Sequence, residues 1–161
     1  MKKLHVLVAA LLLLSTVSFA QLTAGKLAIT TDPTANSLGA AYALSENMRI
    51  DAGLSLLSVS PPSPAKSATA IGLSAGVKMY KPAVENVAYY YGGKFSFSTD
   101  GGDPAVTALY LGVLAGAEYY FSPRFSLAGH ANFGFQSAGA ANKTTTIGTT
   151  GLNTVWTWWF N

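Results

Sequence analysis

Few side chains in this sequence could do chemistry, and most of them are charged residues set singly among apolar ones. Beyond residue 20 there is one histidine, His130, with Asn132 two positions later and Ser126 four positions earlier. A histidine held by an acid can activate a serine hydroxyl as a nucleophile. Ser126 stands four positions away along the chain and period two puts His130 on an inward face, so its expected role is that of an interior hydrogen-bond partner for Asn132 or Glu118. Cysteine is absent, which excludes disulfides, thiolate metal sites, cysteine nucleophiles and lipid attachment at an N-terminal cysteine. No phosphate-cradling glycine loop, acid pair or metal-ligand spacing is present. No catalytic residue, cofactor or metal is therefore expected. What remains is Arg49, Asp51, Lys78, Lys94 and Glu118, which with His130 and Asn132 could form one polar network. Such a network satisfies buried charge; filled with continuous water, it could also pass protons or ions.

Those residues sit in an unusual background. Charged residues make up 11% of the chain and hydrophobic residues 50%, whereas soluble domains carry roughly 25% charged residues. A surface so poor in charge faces something other than water. The formal net charge is +3, and Lys2 and Lys3 supply two of those charges, so no basic patch for nucleic acid is left. The two lysines open a segment, residues 1–20, with an apolar run through Leu11, Leu12, Leu13 and Leu14. Ser18-Phe19-Ala20 then places small residues around a cleavage point. The segment reads as a cleaved signal peptide, with residues 21–161 as a single exported domain. Neither its apolar stretch nor residues 105–117 reaches the about 20 residues that a spanning helix needs.

The elements that position the charges are strands. Alternation and turn residues predict strands over residues 22–31, 37–45, 48–59, 70–80, 87–98, 105–121, 125–136 and 151–160. In the sixth, Gly112, Leu114, Gly116 and Glu118 share one face, while Leu111, Val113, Ala115, Ala117 and Tyr119 share the other. A helical period would scramble that division. Connections alternate between short (46–47, 81–86, 122–124) and longer (32–36, 61–69, 99–104, 137–150). The Pro-rich 61–66 stretch is expected to be stiff, and residues 137–150, with Thr144, Thr145 and Thr146, to form a mobile, solvated loop. Short turns at one end and longer loops at the other predict an all-β fold, an eight-stranded antiparallel up-and-down transmembrane β-barrel.

Taking the more apolar phase of each strand as outward places Lys26, Arg49, Asp51, Lys78, Lys94, Glu118 and His130 on the inward face. A charge facing lipid near the bilayer middle costs about 2–4 kcal/mol, the physical reason for such segregation. Outward Tyr42, Tyr89, Tyr91, Tyr119, Phe121, Phe125 and Trp158 lie near the short-turn ends, where an interfacial aromatic girdle belongs. The many small inward residues suit a narrow, packed interior without a wide pore.

Two stretches carry a family resemblance. Residues 115–127, Ala-Gly-Ala-Glu-Tyr-Tyr-Phe-Ser-Pro-Arg-Phe-Ser-Leu, resemble the penultimate hairpin of the small outer-membrane β-barrel proteins of Gram-negative bacteria, the porin-family or outer-membrane β-barrel domain group. Trp156, Trp158 and Phe160, at alternate positions, resemble that group's C-terminal assembly signal. The group usually ends on the aromatic residue itself; here Asn161 follows. As a pattern the resemblance covers most of the chain. It implies an outer-membrane location, outer-membrane lipid and the barrel-insertion machinery as partners, a monomer, and a non-enzymatic structural or surface-interaction role. Two alternatives stay open: a small-solute transport barrel, and a secreted soluble lipocalin-like barrel holding a ligand, which would turn Leu109, Leu111 and Val113 inward.

Overall fold

The structure, a computed structural model, describes residues 22–59, 68–102 and 104–160. The expected signal segment, the 61–66 stretch and Asn161 lie outside the described residues. The chain forms strands β1 (Leu27–Asp32), β2 (Ser37–Ser45), β3 (Met48–Val59), β4 (Ala68–Val84), β5 (Val87–Asp100), β6 (Thr107–Ser122), β7 (Phe125–Gly139) and β8 (Lys143–Trp159). Each pairs antiparallel with the next. β1 also pairs with β8, from Ala28 opposite Trp159 to Thr31 opposite Trp156, so the strands close into a ring in sequence order. Among the described residues no helix is long and apolar enough to cross a membrane.

The turns follow local chemistry. At one end the strands are joined only by Glu46-Asn47, Glu85-Asn86 and Pro123-Arg124. Asn86 takes a φ of 65°, a left-handed conformation that asparagine tolerates. Ser122 Oγ accepts the Arg124 amide at 3.2 Å, tightening the third turn. At the other end, the Asp32 carboxylate accepts the amides of Thr34 and Ala35, each at 3.0 Å, and so folds the chain back into β2.

Several expected boundaries are corrected. The first strand starts at Leu27 rather than residue 22, because Gly25, with φ 83°, turns the chain first. β4 runs on through Pro82 to Val84, so the connection shrinks to Glu85-Asn86. Proline is accommodated there where the ladder shifts register between Pro82 and Val84. The largest correction concerns residues 137–150, which are not a loop. β7 and β8 continue as a hairpin to the Gly139–Lys143 pair, with a register shift opposite Asn132 and Phe133. Threonine is polar enough to resemble loop sequence, yet its branched Cβ favours extended backbone.

The strands differ in height, and this shapes the interior. β1 ends at Asp32, whereas β8 continues past the level of Thr31 all the way back to Lys143. On the other flank, β2 begins at Ser37 opposite Ser55, while β3 runs on to Val59. The wall is therefore low at the β1–β2 turn and high on both sides of it.

The two faces divide by polarity in the reverse of a water-soluble core. Outward Leu38, Leu73 and Leu111 are 63%, 58% and 61% exposed, while inward Arg49 and Glu118 are at 0%. Buried apolar side chains, among them Tyr80, Tyr90, Tyr120 and Trp159, fill the short-turn half of the ring. Glycine makes room where the ring is tightest. A Cβ at Gly116 would run into His130 and the Gly129 carbonyl, which fixes glycine beside the histidine.

Candidate functional site: a buried polar cluster across the ring

The side chains with chemistry converge on the ring interior. Arg49 on β3 reaches across to Glu118 on β6, its Nη1 donating to Oε2 at 3.2 Å and to Oε1 at 3.3 Å. On its own strand it donates from Nε to Asp51 Oδ1 at 2.9 Å, with Nη2 at 2.8 Å from the same oxygen. Asp51 also pairs with Lys78 on β4 at 3.5 Å. The guanidinium lies 5.7 Å from the Tyr80 ring centre and 5.6 Å from that of Trp159, so aromatic faces screen it from both strands.

Glu118 is saturated. Besides Arg49 it accepts the Tyr80 hydroxyl at 2.6 Å and the Ser126 hydroxyl, and Ser126 in turn accepts Trp159 Nε1 at 3.4 Å. Burying two ions is costly unless their remaining lone pairs and protons are satisfied; these partners satisfy the Glu118 oxygens, while Arg49 Nη2 is held by its ion pair with Asp51 alone. The cluster draws on β3, β4, β6, β7 and β8 and so braces the ring across its width. Alongside it, the Lys78 ammonium lies 5.1 Å from the Tyr90 ring centre, and the Tyr80 and Tyr90 rings meet at 5.1 Å.

His130 does not bond Asn132 or Glu118, which corrects the expectation for it. Its Nδ1 is 3.0 Å from the Tyr90 hydroxyl. Period two separates them: Asn132 projects from the same face of β7 but one step further along, while Tyr90 stands across the ladder one strand beyond Gly116. Asn132 instead donates to Asn153 Oδ1 at 2.6 Å, and Asn153 donates to Asp32 Oδ2 at 3.0 Å. Ser126 and His130 form no hydrogen bond with each other, since Ser126 is given over to Glu118 and Trp159. Lys94 lines the same interior and stands opposite Gly76, without an ion pair among the described residues. Among the described residues no three His, Asp or Glu side chains gather as metal ligands would.

Sequence reasoning missed Tyr80, Tyr90, Asn153 and Trp159, and weighed Ser126 beside His130 rather than Glu118. Strand parity was the available signal: Tyr80 shares the inward phase of Lys78, Tyr90 that of Lys94, and Trp159 that of Thr157.

The outer face has its own order. Tyr119 and Phe121 meet edge to face at 4.8 Å, and Phe121 stacks on Phe125 at 5.5 Å. Phe125 meets Trp158 at 5.4 Å and Trp156 at 6.2 Å. This aromatic band crosses β6, β7 and β8 beside the Pro123-Arg124 turn. Tyr42, Tyr89 and Tyr91 stand exposed on the same turn side of the ring.

Comparison of the sequence with family models finds no match, and no curated protein matches it either.

Proposed function

We propose that this chain is a non-enzymatic outer-membrane β-barrel protein of Gram-negative type, inserted as a monomer, with a structural or surface-interaction role. The observation that carries this is the inversion of polarity: a predominantly apolar exterior around an ion pair with no solvent exposure. Leaving Leu38, Leu73 and Leu111 in water would forfeit about 1.5–3 kcal/mol for each, whereas lipid removes that cost. Two-residue turns at one end, and an aromatic band beside them, agree with the periplasmic side of such a barrel. The seven outward aromatics, Tyr42 through Trp158, would then sit at headgroup depth. Trp156, Trp158 and Phe160 would be the segment presented to the insertion machinery.

β1 bears on how the ring would sit. It has 6 residues, fewer than the about 9–11 of a spanning strand, so the bilayer is expected to thin against the low wall at the β1–β2 turn. Passage of a solute is opposed by the Arg49–Glu118 brace across the lumen. A soluble ligand-binding barrel is opposed by Leu109, Leu111 and Val113, which point outward.

Fractionating the cell envelope and running the protein in detergent gels with and without boiling tests the proposal. Outer-membrane recovery with a heat-dependent mobility shift is the expected result. Recovery as a soluble periplasmic protein with no shift would reject it.

A further inference from the structure

Below the low wall the interior opens into a cavity of about 60 Å³, lined by Asp32, Asp51, Lys78, Lys94 and His130 together with hydroxyl and glycine residues. That is room for a few waters or one small ion. Both carboxylates in this lining have partners, although Asp51 Oδ2 makes no hydrogen bond. Asp51 holds Arg49 at 2.8 Å and Lys78 at 3.5 Å. Asp32 accepts two backbone amides and the Asn153 side chain, each at 3.0 Å.

Two donors in the lining, Lys94 Nζ and His130 Nε2, are not engaged. Lys94 has no ion-pair partner among the described residues. It also lies diagonally across the β4–β5 ladder from Lys78, since Lys94 faces Gly76 and Lys78 faces Gly92, so two ammonium groups share one small space. His130 is 95% buried by its 5% exposure, and its Nε2 has no partner. Nδ1 lies 3.0 Å from the Tyr90 hydroxyl; in the tautomer in which that hydroxyl donates to Nδ1, neutral His130 carries its ring hydrogen on Nε2. Arg49, Lys78 and Lys94 are matched in number by Asp32, Asp51 and Glu118, and Lys94 is the cation among them without an ion-pair partner among the described residues.

We propose that this cavity binds a small oxyanion, a carboxylate or a phosphate, between the Lys94 ammonium and His130 Nε2–H, with entry over the low wall at the β1–β2 turn. An oxyanion supplies the acceptor that both groups lack and a counter-charge for Lys94. The site goes beyond the proposed function and needs only the closed ring, so its failure would leave the membrane assignment standing.

Titration calorimetry on the refolded full chain in detergent micelles tests it. Inorganic phosphate and acetate are the two probes, at ionic strength held constant with sodium chloride. Saturable binding of at least one is expected, with displacement of the His130 Nε2 nitrogen resonance, and the tighter probe identifies the source class. Lys94→Gln should weaken binding about tenfold or more, and Lys143→Gln, at the hairpin tip, should leave it unchanged. Absence of saturable binding by either probe, or an unmoved His130 resonance in the unsubstituted chain, overturns the proposal. So does an unweakened Lys94→Gln protein that keeps its folded gel mobility. Should Lys94→Gln fail to fold, the His130 resonance decides alone.

Discussion

Glu118 accepts hydrogen bonds from three strands at once: Arg49 on β3, Tyr80 on β4 and Ser126 on β7. Removing Glu118 leaves the buried Arg49 with Asp51 alone and strands the Tyr80 and Ser126 hydroxyls. Glu118→Ala is therefore expected to lower stability by about 3–5 kcal/mol in urea unfolding from detergent micelles. The double variant Arg49→Met, Glu118→Leu should recover most of that loss, since it buries no unpaired ion. Equal losses in the single and double variants would mean that the pair is not the brace described here. The charged members of this cluster were legible in the sequence because a charge on an apolar-outside strand has one place to go. The aromatic members were not. Tyr80, Tyr90 and Trp159 are of the same residue types as the outward girdle, and hydrophobicity alone cannot tell an inward tyrosine that bonds a carboxylate from an outward one.

At the scale of elements, most strands were legible because one apolar face repeats with period two and turn residues interrupt it. The top of the β7–β8 hairpin was not, because its residues are exposed on both faces and carry no alternation to read. Thr144, Thr145 and Thr146 stand opposite Ala138, Ser137 and Gln136 in register. Hydrogen exchange distinguishes this hairpin from the loop that composition suggests. Amides of β8 that face β7 between Lys143 and Thr149 should be protected at least tenfold over those facing away, because only the former are bonded in the ladder. Uniform, fast exchange over residues 137–150 would restore the loop. Strand ends were also legible only in part. Pro82 looks like a strand breaker until the register shift beside it removes the need for its missing N–H.

At the scale of the whole molecule the closed ring separates three tryptophans that sit almost side by side in sequence. Trp156 and Trp158 face outward, 42% and 40% exposed, while Trp159 is buried at 5% beside Arg49. In lipid vesicles, single-tryptophan variants keeping Trp158 should be quenched by lipids brominated near the headgroups, and those keeping Trp159 should not. Comparable quenching of both would place the last strand at an unclosed edge.

The central claim is that the apolar face meets lipid and the charged face meets the protein's own interior. The sequence contains no cysteine, so a single introduced cysteine carries a spin label without background. Labels at Leu73→Cys, Leu111→Cys and Phe133→Cys, outward on β4, β6 and β7, would be read in vesicles by collision with oxygen, which concentrates in lipid, and with a water-soluble nickel complex. The account predicts high oxygen and low nickel access at all three positions. High nickel access at these positions would put the apolar face in water and contradict it.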